Sequence, residues 1–155
     1  MLLRLRNHLQ SGERLDFMDV DELNNIFHDI LWYKEHGLEK PISLINDVYY
    51  LFKDIFPYTG VVYRGVCIRD GYEFQHRKEV SSFTNNKNVA ENFSNSCDGE
   101  VSYLITQNVS EALNLADLLT ELAENGILSY EEVGNFIGED EVLCFIEDSC
   151  KVTVL

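Results

Sequence analysis

The apolar periodicity changes character once, at the turn PYTG (57–60), and this change limits the fold class more than any other feature. Before it, apolar residues recur at i, i+3 and i+4, the repeat of a helix with one buried face. In DVDELNNIFHDILWYKEHG, Leu23, Ile26, Phe27, Ile30 and Leu31 share such a face. Asp19 is predicted to cap this helix, with Glu22 completing a capping box and Gly37 ending it. A second helix is predicted over ISLINDVYYLFKDIF (42–56), stopped by Pro57. After the turn, GVVYRGVCI is rich in β-branched residues and reads as a strand. A second strand is predicted over EFQHRKEVSSFT (73–84), a short helix over NNKNVAENFS and a third strand over EVSYLITQ. The segment SEALNLADLLTELAENG reads as an amphipathic helix capped by Ser110 and ended by Gly126. One more helical turn at SYEEVGNF, with Ser129 and Glu132 as its capping box, precedes two closing strands, EVLCFIED and CKVTVL. Helices followed by strands with short helices between them define an α+β class. With 155 residues, the expectation is a single domain, helical over 1–58 and β-rich over 59–155.

Charge narrows the partners. The formal net charge is −15 and the pI about 4.5, so nucleic-acid backbones and anionic membranes are repelled and basic proteins attracted. No apolar run approaches the ~20 residues of a membrane-spanning helix. The start, MLLRLRNHLQSGERLDF, has arginines but no apolar stretch after them, so it does not read as a secretory signal, and the sequons NFS and NVS read as chance matches. Cys67, Cys97, Cys144 and Cys150 show no metal-ligand spacing. The expectation is therefore no metal and free thiols in a reducing cytoplasm.

Three short stretches carry chemistry. In YRG (63–65), Arg64 interrupts an apolar strand, where a charge needs an anionic partner or a route to water. In SSFTNNKNVAENF (81–93), Ser82 and Thr84 share a strand face, although such hydroxyls also cap helices. In GEDEVLCF, Glu139 and Glu141 stand two apart, so on a strand they project together while Asp140 turns away.

In that order, the three stretches resemble the arginine, serine–threonine–serine, glutamate-x-glutamate pattern of the mono-ADP-ribosyltransferases. The run SFTNNKNVAENF is similar to the family's STS-x-x-x-x-VA-x-x-F, and GEDEVLCF to its ExEVL strand. The resemblance covers about residues 61–155. It implies two packed, mostly antiparallel sheets around an NAD cleft, preceded by helices. Carried over, Arg64, flanked by Tyr63 and Gly65, binds the NAD pyrophosphate. Ser82 positions the catalytic Glu141, Thr84 supports the cleft, and Phe93 closes the cofactor-side run. Glu141 takes a hydrogen bond from the ribose 2′-hydroxyl and stabilises the cation left as nicotinamide departs. Glu139 goes with transfer to arginine, whose guanidinium a carboxylate holds in a bidentate fork. Phe136 occupies the place of an exposed aromatic on the family's substrate-recognition loop. The chain departs from the pattern at Ser81, Phe83 and Thr84, and its segment 94–100 is short.

The resemblance thus implies an arginine-directed, NAD-dependent enzyme acting on a target protein, similar to small enzymes that bacteriophages express against host proteins. Two other readings stay open: an NAD glycohydrolase, and a noncatalytic acidic binder, either a degenerate transferase fold or a DNA mimic.

Overall fold

Pro57, where the periodicity changes, is the first residue of the first strand. A computed structural model describes residues 1–69, 79–95, 97 and 100–155. Three helices come first: α1 (Leu2–Ser11), α2 (Phe17–Trp32) and α3 (Ile42–Phe52). They are followed by β1 (Pro57–Arg69), β2 (Val80–Thr84), α4 (Lys87–Ser94), β3 (Glu100–Asn114), α5 (Leu115–Glu124), α6 (Tyr130–Gly138), β4 (Glu141–Phe145) and β5 (Lys151–Val154). The α+β class and the helix-first order hold. Residues 73–78 of the second expected strand lie outside the described residues, as do 96, 98 and 99 of the short segment after α4.

Several local expectations are corrected, each because a neighbouring group takes the hydrogen bonds. The cap of α2 is Asp16, which exchanges bonds with Asp19 in a capping box, so Asp19 sits inside the first turn. That helix stops at Trp32, and Gly37 (φ +67°) belongs to the turn beyond it. The helix expected from Ser110 starts only at Leu115, capped by Asn114. Residues 108–113 are held as strand by their ladder with β1, which runs to Pro57 opposite Leu113. Helix α1 falls within the region expected to be helical, though the sequence pattern sets no bounds for it; Leu2 and Leu5 bury against the other helices, and Arg4 reaches Asp19 at 2.7 Å.

The expected pair of packed sheets is instead one antiparallel sheet, ordered β1-β2-β4-β3-β5, in which β1 also pairs with β3. Four strands therefore close on themselves. The long β3 makes this possible, because β1 takes one edge while β5 and then β4 share the other. A register shift at Tyr58/Gly60 bends β1, and Gly60 there has φ +138°, a conformation closed to other residues.

Alternation along the strands separates two cores. Val62, Phe83, Ile105, Val142 and Cys144 fill the inside of the closed sheet. Val80, Leu113 and Leu143 face outward into a larger core made by α1, α2, α3, α5 and α6. Ser82 and Thr84 on β2, and Glu141 on β4, share the register of Val80 and Leu143. The sheet therefore presents them toward the helical layer.

Helix α4 packs on β1 at Gly65, where an added Cβ would lie 2.2 Å from the carbonyl oxygen of Ala90. This brings the chain after α4 back alongside β1, and Cys67 is bonded to Cys97, with Cα atoms 5.6 Å apart. The expectation of free thiols is thus corrected for Cys67 and Cys97. Cys144 is a buried free thiol. Among the described residues, no helix is long and apolar enough to cross a membrane.

Candidate active site

All nine residues singled out in the sequence line one cavity of about 640 Å³ between the sheet and the helical layer. A second hollow of about 310 Å³, beside Phe145–Asp148, holds none of them.

Strand β2 organises the cavity. It pairs with β4 throughout but with β1 at only one register position, Tyr63 opposite Thr84. Beyond that point the carbonyls of Val80 and Ser82 receive side chains. Lys40 Nζ donates to Val80 O at 3.0 Å, and Arg64 Nη1 donates to Ser82 O at 2.7 Å. Two side-chain hydroxyls carry the pattern on. Ser82 Oγ donates to Glu141 Oε1, and Thr84 Oγ1 donates to the carbonyl of Glu139 at 2.7 Å. From Val80 to Thr84, a path of about 13 Å at strand spacing, the attached groups run cation, cation, carboxylate and the main chain of Glu139. Thr84 Oγ1 also accepts from Asn86 N at 3.0 Å, so its hydroxyl both donates and accepts in tying β2 to its neighbours.

Glu139 and Glu141 do meet in one cavity, though not by strand alternation. Glu139 is the C-cap of α6 and Asp140 adopts a left-handed turn, φ 50°, before β4 begins at Glu141. The turn replaces the strand geometry expected for this segment. Asp140 is absent from the cavity lining. Among the described residues the Glu139 carboxylate has no hydrogen-bond or ion-pair partner. Phe136 is also corrected: it lies on α6 rather than on a loop, half-buried, with its ring edge-on to Trp32 at 5.2 Å. On a helix it falls one turn before Glu139.

The electrostatics follow from burial. Glu141 is pushed up to about 7, first by desolvation and then by the nearby Glu139 charge, against the Ser82 hydrogen bond and the pull of Arg64. Its Oε2 is buried with no hydrogen-bond partner. Burial also lowers Arg64 below the usual guanidinium value, opposed by Tyr33, Glu79 and Glu141. A buried acceptor without a donor costs roughly 1–3 kcal/mol. The acceptor belongs to a residue that lines the cavity.

No motif pointed to the other wall. The end of α2 and the turn after it contribute Trp32, Tyr33 and Lys34, and Lys40 precedes α3. These residues sit more than twenty positions before Arg64 in an otherwise helical stretch, and no local spacing links them to the later motifs. Burial raises the Tyr33 phenol, and both Arg64 and Glu141 act on it. Among the described residues, no group of three or more His, Cys, Asp or Glu could hold a metal ion.

No family model, curated protein or solved structure matches the chain.

Proposed function

We propose that the protein is an NAD-dependent mono-ADP-ribosyltransferase that modifies an arginine of a target protein. One observation carries the reading. A buried carboxylate has one oxygen held by a serine hydroxyl and the other unpartnered, next to an arginine and facing a second carboxylate. The orphan Oε2 of Glu141 fits a hydroxyl donor such as that of a ribose, and Arg64 fits a diphosphate. Two cations followed by the Glu141 carboxylate along β2, with Glu139 lining the same cavity, suit a donor that is anionic at one end and reacts beside the carboxylates.

Bound NAD would supply a glycosidic bond whose cleavage sends the electron pair out with nicotinamide. Glu141 would lie against the positive charge growing on the ribose, fixed by Ser82 so that no reorganisation is needed during the reaction. Glu139 would hold the incoming guanidinium and take the proton it loses as its nitrogen bonds to the ribose carbon. Phe136, one turn away on the same helix face, would flank that acceptor. Target proteins with basic surroundings suit the charge of −15. A host protein, if the chain acts within a host, is one such class.

The test is incubation with NAD labelled in its ADP-ribose part and a cell lysate. Label on protein arginine with release of nicotinamide is expected, and Glu141→Gln should abolish both. Glu139→Ala should lose protein label while nicotinamide release to water persists. Nicotinamide release without protein label in the wild type would instead favour an NAD glycohydrolase. Absence of both products sinks the enzymatic reading and leaves the acidic binder.

A further inference from the structure

The cavity holds three cations, Lys34, Lys40 and Arg64, of the twelve in a chain of net charge −15. Arg64 and Lys40 sit on carbonyls two residues apart on β2, which places them about 7 Å apart along the strand. Lys40 also lies 3.5 Å from Glu79 Oε1, both side chains about three-quarters shielded from solvent. Glu79 is the residue immediately before Val80, so it stands beside both cations and lines the same cavity. Among the described residues no other carboxylate is within ion-pair distance of Lys40, and none is within that distance of Arg64.

We infer that Lys40 is a second ligand for a diphosphate in this cavity, and that Glu79 is its resident counter-ion, displaced when the diphosphate binds. The inference deepens the transferase reading, and rests on it, by giving the donor's anionic end a specific exchange of partners. Here Lys40 pairs with Glu79, and each of the two cations donates to one backbone carbonyl. A diphosphate brings more charge and more acceptor oxygens than Glu79 can, and it can span both cations. The direction of the Lys40 pKa agrees: burial lowers it, Glu79 opposes that and Arg64 adds to it. Because Lys40 closes the segment joining α2 to α3, the exchange also links ligand binding to the wall that carries Trp32 and Tyr33.

Competition makes a distinctive prediction for a pair of variants. Removing either partner breaks the same ion pair, so a merely structural tie would weaken the protein in both cases and alter ligand affinity in no opposed way. Under competition Lys40→Met weakens ADP binding about tenfold, and Glu79→Gln tightens it about threefold. A through-space repulsion by Glu79 could give the same signs. The deciding measurement is therefore Glu79→Gln in the Lys40→Met background, where the tightening disappears if Glu79 acts by holding Lys40. Affinity for ADP is read by calorimetry on the full chain. Trp32, the chain's one tryptophan, lines the cavity and gives an independent fluorescence signal. Lys40→Arg, which keeps the charge, should bind ADP within about threefold of wild type and guards against a folding defect in Lys40→Met.

An equal effect of Glu79→Gln in both backgrounds, or an unchanged affinity in Lys40→Met, overturns the inference. ADP binding with the expected variant pattern but no nicotinamide release from NAD overturns the transferase reading and leaves the diphosphate exchange standing. No saturable ADP binding to the wild type overturns both.

Discussion

Glu141→Gln should change how stability depends on pH, by an amount the structure sets. Glu141 is pushed from 4.5 to about 7 in the fold, mainly by desolvation. Its folded-state pKa lies above its unfolded one, so the native protein binds this proton more tightly. The stability linked to the proton is present in full below about 4.5, declines as pH rises, and is gone above about 7. A displacement of that size corresponds to about 3 kcal/mol between the two ends of the window. Glutamine is uncharged at every pH, and its Oε1 can keep the Ser82 hydroxyl. Its amide hydrogens would have no acceptor where Oε2 now lies, which costs roughly 1–3 kcal/mol independent of pH. The offset between variant and wild type is therefore uninformative, and the slope is the measurement. Urea unfolding at intervals from pH 5 to 8, followed by circular dichroism and Trp32 fluorescence, gives both curves. The wild type should lose about 2.5 kcal/mol relative to Glu141→Gln across that range, the rest of the change lying below pH 5. Parallel curves would refute the claim that Glu141 is desolvated and unpaired.

Three further outcomes are expected. Because the transferase step needs ionised Glu141, the rate of nicotinamide release at low NAD should rise with pH through an apparent pKa near 7 in the free protein; a rate flat from pH 5.5 to 8 contradicts this. Gly65→Ala places a methyl carbon 2.2 Å from the Ala90 carbonyl oxygen, a backbone atom, so α4 must move off β1. A loss of about 3 kcal/mol and a lower melting temperature by calorimetry are expected. Breaking the Cys67–Cys97 bond, 30 residues apart, with a reductant or as a Cys67→Ser/Cys97→Ser pair should cost about 3–4 kcal/mol by chain entropy; an unchanged melting temperature would show that the bond does not constrain the unfolded chain.

The sequence carried the class of the fold because periodicity is a local property. The stripes of α2 and α3, the β-branched run of β1 and the capping box of Ser129 and Glu132 each follow from residues within one or two turns of each other. It also marked all nine candidate residues that line the cavity, since Arg64, Ser82 and Glu141 lie on elements whose local pattern already turns them to one side. Where neighbours distant in sequence decide, local pattern failed. Residues 110–113 read as the start of a helix, and their ladder with β1 makes them strand. Glu139 and Glu141 suggested a shared strand face, but a helix end and the left-handed Asp140 bring them together. Cys67 and Cys97 gave no sign of pairing until α4 folded onto Gly65. Lys40, Trp32 and Tyr33 belong to the cavity because the helical layer closes over one face of the sheet, a packing choice made by the whole core. The sequence by itself determined which groups can do chemistry here. Only the tertiary structure decided which partners surround them, because burial and charge neighbourhood are set across the chain and not along it.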